Sequence, residues 1–431
     1  MKNWLAIVAA CLLPLVATAQ DEPDSDGWDA FDDEAWEEEA ASAYSGFLEG
    51  AFGSRIDSDN LVDRRNTLAE IRARVEREWQ PGKTTISLKG DAGYDAVLSE
   101  LNLDLRELTA SFSVADSIDM KVGRQVLTWG TGDLVFLNDL FPKDFESFFA
   151  GRDDEYLKAP GNAVRITRYA DSVNADFAWS PVFDSDIYLD GERFSFFSPL
   201  AGSNVAPRPR LDAIEPDKSF STGEFALRLF RTFGSREVAL YGYRGFFKQP
   251  NALTASFEPT FAPLSAVGAS LRQPLGKGLI NAETSYYLSR DDRNGSDPLI
   301  PNDQWRLLLG YEWEARPRLT VGLQYYLEHT LDHDRLLANS PFPSLEPEKN
   351  RHVLTNRLTW RSARDKHSLS LFTFFSPSDQ DYYLRPVYDY RHSDQWSLTA
   401  GASLFGGDEP QTFFNQLRVA SNVYLRVRYN Y

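Results

Sequence analysis

The feature that most constrains this chain is the parity of its connections. Strand-like segments of 10 to 15 residues recur from Ser45 to Tyr431. Every second link between them is tight: Gln80 to Lys83, Ala115 and Asp116, Asp171, Gly234 and Ser235, Leu275 and Gly276, Arg316 and Pro317, Ser393 and Asp394. The intervening links run long, notably Leu127 to Gly161, Asp184 to Ser221 and Asp332 to Asn350. Short turns at one rim and long loops at the other suit a transmembrane antiparallel β-barrel with its turns in the periplasm. A soluble sandwich has no reason to keep that parity. The expected fold is all-β with about eighteen strands. Sixteen remain if the short link near Ser378 does not join two strands.

Several strands alternate cleanly, which places one row on each face. Ala69, Ile71, Ala73, Val75 and Trp79 oppose Glu70, Arg72, Arg74, Glu76 and Glu78. Trp305 to Trp313 and Leu319 to Leu327 carry similar apolar rows, as does Tyr382 to Tyr390, where Pro386 interrupts the ladder donors. Rows ending in Trp or Tyr fit an apolar band between aromatic girdles. No apolar run after the leader approaches the roughly 20 residues of a membrane helix, and mean hydropathy is -0.41 although 13% of residues are aromatic. A closed barrel reconciles these facts, because it satisfies every backbone group between strands.

The last strand, VASNVYLRVRYNY, ends with Tyr429 and Tyr431 in phase with its apolar row. It resembles the closing strand of Gram-negative outer-membrane barrels, whose terminal aromatic is read by the barrel-assembly machinery. The resemblance implies Tyr429 and Tyr431 as an assembly signal, outer-membrane lipids as surroundings and the outer membrane as location. Residues 1–19 read as a secretory signal, with an apolar run from Trp4 to Val16 and Ala17-Thr18-Ala19 before Gln20. Its removal takes away Cys11, a weak lipobox match, and leaves no cysteine for disulfides, thiol catalysis or metal sites. Residues 20–44 form an acidic segment, punctuated by Trp28, Phe31 and Trp36; Gln20 to Ser54 holds twelve acids and no Lys or Arg. It reads as a disordered periplasmic tail or as a plug. The barrel proper is 45–431.

A barrel of this size leaves a lumen. Arg72, Arg74, Lys89, Asp91, Asp104, Arg106, Arg426 and Arg428 fall on inward rows, as a polar pore wall or a salt-bridged ladder. The densest stretch, Val122 to Phe149, leaves the fifth strand into a connection too long for a hairpin. Gly130 and Gly132 permit positive φ beside Trp129, Asp133 can cap the next turn, and Asn138, Asp139 and Pro142 carry turn chemistry. The sequence GRQ, WG-x-GD, ND, P-x-D resembles a stretch in porin-like outer-membrane proteins of proteobacteria, some linked to hydrocarbon uptake beside RND-type inner-membrane transporters. That likeness implies a channel, an RND-type or periplasmic partner, and a constriction built by Arg124, Trp129, Gly130, Gly132, Asp133, Asn138, Asp139, Pro142 and Asp144. The alternative is that these residues only lock the loop. Counting from Met120 and Val122 points Arg124 at lipid, so its inward placement needs a bulge at Gly123.

The preferred solute class is hydrophobic or lipid-like, from the likeness and from loop aromatics Phe194, Phe196, Phe197, Phe257 and Phe261. A general polar-solute porin and a loop-sealed adhesin or structural barrel are the alternatives. A hydrolase is the weakest reading. His329 and His333 stand near Glu328, Asp332 and Asp334, but no G-x-S-x-G or H-E-x-x-H occurs. No cofactor and no nucleic-acid partner is expected, since phosphate loops, dinucleotide fingerprints and basic patches are missing.

Overall fold

The computed structural model describes residues 44–431. The signal and most of the acidic segment lie outside the described residues. Eighteen strands form one sheet in which each pairs antiparallel with its sequence neighbours. Ser45–Arg55, the first, also pairs with Asn422–Asn430, the last, from Phe47 opposite Asn430 to Arg55 opposite Asn422. That pairing closes the barrel and removes both sheet edges.

Connection parity holds almost throughout. One rim carries turns such as 116–117, 234–235, 276–277 and 317–318; the other carries 126–160, 181–223 and 331–349. The links 96–99 and 377–380 are short although they lie on the loop side. Ser376 at the second of them is nevertheless followed by a full strand, Asp381–Arg391, so sixteen strands is excluded. Pro386 sits in that strand at a gap: pairing to Trp396–Gly407 is interrupted at Arg385 and Pro386 and resumes at Val387.

The two rows segregate as alternation demands. Ile71, Leu101 and Leu103 point outward and are more than 70% exposed. Arg74, Asp91 and Arg106 point inward and are buried. At the short-turn rim, Tyr311 stacks on Trp313 at 5.3 Å and Trp396 meets Tyr429 at 5.0 Å, forming an aromatic girdle. Tyr431 continues the outward row: its backbone pairs with Gly46 and its hydroxyl donates to the Arg74 carbonyl at 2.7 Å.

The core lies inside the barrel, on its loop side. The helix Phe145–Ala150 of the 126–160 connection puts Phe148 and Phe149 against inward Tyr383, while Phe149 also meets Phe405. Leu137, Leu157, Leu308, Phe372 and Tyr424 complete the cluster. Each fully buried aromatic contributes about 1.5–3 kcal/mol, which makes the inward fold of this connection a packing outcome as well as an electrostatic one.

Candidate functional site: the loop across the lumen

The 126–160 connection crosses the lumen and is tied to the wall at two places. Its first half is held by Glu283 of Gly278–Ser289. The Thr131 and Gly132 amides donate to that carboxylate, the second at 2.8 Å, and Asn138 donates at 2.8 Å. Gly130, at φ 87°, faces the same carboxylate so closely that a side chain there would crowd it. Gly268 similarly leaves room for the Asn138 side chain. The Asp133 backbone exchanges two 2.8 Å bonds with the Gln324 amide, and its carboxylate takes a two-point pair from Arg357. Trp129 packs on Phe141 at 5.0 Å and donates to Asp176.

Asp139, Pro142 and Asp144 act within the connection. Asp139 accepts from Thr128 at 2.8 Å and Lys143 at 2.9 Å, the Pro142 carbonyl accepts from the Ala159 amide, and Asp144 caps the helix through Ser147. Apart from Arg124, these residues fall into two groups. Trp129 to Asn138 meet the barrel wall, whereas Asp139, Pro142 and Asp144 brace the loop.

Arg124 is a correction. It lies opposite Leu108 on the outward row, and its Nε donates to the Leu105 carbonyl at 2.6 Å. No bulge occurs at Gly123. The extra residue is Arg106 on the neighbouring strand, where pairing shifts between Lys89 and Gly90, and this leaves the Leu105 carbonyl for Arg124.

The element most densely paired with the wall is one that sequence reasoning passed over. Arg152-Asp153-Asp154-Glu155-Tyr156 lies just beyond the Val122 to Phe149 stretch, and each of its side chains engages a charged wall residue. Arg152 pairs with Glu70 at 2.7 Å and Asp95 at 3.1 Å. Asp153 pairs with Arg426 at 3.2 Å and Arg428 at 3.3 Å, and Asp154 pairs with Arg385. Glu155 pairs with Arg74 at 2.6 Å and Lys89 at 3.4 Å. The Tyr156 hydroxyl donates to Asp91 at 2.6 Å, and its ring lies under the guanidinium of Arg72 at 4.1 Å and of Arg106 at 4.7 Å. Burial alone would raise the Asp153 and Glu155 carboxyls, but the arginines hold both below the usual carboxylate range.

All eight wall residues read from sequence thus face inward, and seven of them touch this segment directly. Asp104 is the most solvated and makes a 3.5 Å contact with Arg106. Glu49, Glu70, Glu155, Glu283 and Arg385 were not singled out for the wall or the constriction, though Glu70 was noted on its inward row. For the four on strands the sequence signal is inward phase on an otherwise apolar or mixed strand, whereas Glu155 lies in the loop and has none.

Two cavities approach the segment. One, about 370 Å³, lies on the short-turn side and is lined by Asp153, Arg426, Arg428, Arg361, Lys366 and Asp389 among others. The other, about 300 Å³, includes Arg152, Tyr156, Asp95, Glu146, Asp190 and Arg193 and opens toward the long loops.

The long loops are knotted together above this level. Asp186, buried, accepts from the Lys143 amide at 2.7 Å and from Gln249, while its own amide donates to the Lys248 carbonyl. Burial pushes its carboxyl up to about 6, against the pull of Lys143 and Lys248. A folded pKa above the unfolded value, about 3.9, lends stability that is present below that value and lost as pH rises through about 6. Proteolysis of 184–221 is expected to be slower at about pH 5 than at about pH 7.5, with Asp186→Asn flattening the difference.

His329 bonds Asn350 at 2.7 Å and His333 bonds the Pro347 carbonyl at 2.8 Å. Phe194 and Phe261 are buried, the latter 5.0 Å from Phe183, so these aromatics pack the loops together.

No family model matches the chain, and no curated protein matches it in sequence. Solved structures do match in shape. OccK11 (OpdR) of Pseudomonas aeruginosa superposes with a TM-score of 0.52 at 12% identity, covering 90% of this chain and 95% of that one. OccAB4 of Acinetobacter baumannii gives 0.53 at 12%, covering 90% and 97%. A BenF-like porin from Pseudomonas fluorescens Pf-5 gives 0.52 at 10%, covering 90% and 98%. The fold is a porin fold. Identities this low speak of architecture alone.

Proposed function

We propose that this chain is an outer-membrane channel for small polar solutes, without covalent chemistry of its own. The observation that carries the reading is the charged lumen. Cavities lined by paired and unpaired charges lie on both sides of a loop that narrows the barrel. A wall of this kind favours solutes that can replace water at charged groups and disfavours alkanes, which would strand those groups dry. The porin fold of the neighbours supports the same conclusion.

The hydrophobic-solute expectation rests on the sequence likeness and on loop aromatics. Of these, Phe194 and Phe261 are occupied in packing, and Phe257 is the exposed one. An association with RND-type transporters rests on the sequence likeness alone, and recognition of Tyr429 and Tyr431 by the assembly machinery on the terminal motif.

Proteoliposomes holding the purified barrel are expected to swell in small sugars and amino acids, with measurable single-channel conductance in planar bilayers. Neither swelling nor conductance under any salt would instead identify a loop-sealed structural barrel.

A further inference from the structure

We propose that Arg152–Tyr156 is an electrostatic latch, a segment held across the lumen by charge pairing and released when that pairing is screened. The consequence for permeation rests on the channel reading; the release itself does not.

The two halves of the connection are held by different physics. Residues 131–138 are fixed largely through their backbone, by Glu283, Gln324, Asn281 and Tyr287, with a single ion pair, Asp133 to Arg357, beside them. The latch binds through its side chains, and its backbone bonds are mostly local: the Tyr156 amide to the Asp153 carbonyl, the Lys158 amide to the Glu155 carbonyl. Among the described residues, Arg106 is the wall side chain that reaches its backbone, at the Glu155 carbonyl, and it also bonds the Lys158 carbonyl just beyond. Side-chain ion pairs weaken with salt, whereas backbone bonds do not.

Solvent reaches the acidic partners more than the arginines that hold them most closely, although Lys89 and Arg428 are 28% and 19% exposed. Asp153, Asp154 and Glu155 are 33%, 48% and 38% exposed at the side chain, while Arg426, Arg385 and Arg74 are 8%, 5% and 2%. Ions entering from the short-turn-side cavity therefore meet Asp153 directly. At about 1 M salt the screening length is about 3 Å, comparable to the pair distances themselves.

The segment also has defined ends. Gly151, at φ 91°, starts it beside the Tyr424 ring, where a side chain would clash. Leu157 ends it, buried in the core cluster, its carbonyl accepting from the Asp144 amide at 2.8 Å. Release between these points moves the latch and leaves helix Phe145–Ala150 seated.

Hydrogen exchange on the full chain in detergent tests this. Amides of 153–158 are expected to exchange about tenfold faster at about 1 M than at about 0.05 M NaCl, with 131–138 unchanged. Asp153→Asn/Asp154→Asn/Glu155→Gln is expected to show the fast exchange already at low salt. Salt-independent exchange, or a parallel rise across 131–138, overturns the latch. Conductance is read on the same samples. Salt-driven exchange without conductance upholds the latch and refutes the channel, and steady conductance with salt-independent exchange does the reverse.

Discussion

Glu283→Ala is expected to free residues 129–138 from the wall while leaving the barrel closed. The carboxylate is the shared acceptor for the Thr131 and Gly132 amides and for Asn138. Its loss leaves three donors without a partner in a dry setting. Hydrogen bonds to a charged group contribute about 1.5–3 kcal/mol each, and stranded donors add to the loss. Relief from burying Glu283 offsets part of it, so about 3 kcal/mol of loop docking is expected to disappear. Proteolysis at 129–138 should accelerate about a hundredfold, and single-channel conductance should rise. Glu283→Gln gives an intermediate result, since its oxygen serves the two amides but its NH2 confronts that of Asn138. An unchanged cleavage rate in the alanine variant would show that Gln324 and Arg357 suffice.

The second large effect is expected at Arg74. It is buried, holds Asp91 through two bonds of 2.6 and 2.9 Å, and contacts Glu155 and the Tyr156 hydroxyl. Arg74→Met keeps much of the stem and removes the charge. Asp91 is then left buried without its arginine, a situation that costs about 3–5 kcal/mol. The backbone ladder does not depend on this side chain, so the loss should fall on the latch and lower the midpoint of thermal unfolding by a few degrees at most. Adding Asp91→Asn should recover most of the loss, because the stranded charge and not the missing contact dominates it. A single variant as stable as the wild type, with unchanged exchange at 153–158, would sink this account.

How much the sequence disclosed depends on how locally each property is encoded. All eighteen strands were legible, because period-2 alternation and turn parity repeat within every hairpin. The inward positions of Arg74, Asp91 and Arg428 were legible for the same reason. Arg124 was misplaced because its inward assignment required a bulge on its own strand, and the bulge lies at Arg106 next door. Nothing on one strand reports an irregularity in its partner. The latch was missed because Asp153, Asp154 and Glu155 look like any solvated acidic turn. Their partners Arg74, Arg385 and Arg426 sit on strands that only the closed barrel brings together.

That long separation has a bearing on the order of assembly. Asp153 and Arg426 lie 273 residues apart, and the anchors Glu283, Gln324, Arg357 and Arg385 all come after the crossing loop in the chain. Glu70, Arg74, Lys89, Asp91 and Asp95 come before it, so the loop is anchored from both directions along the chain. The full set of latch pairs needs the final strand, because that strand supplies both arginines that grip Asp153. Closure of the barrel and complete docking of the latch are thereby joined at one residue, Asp153.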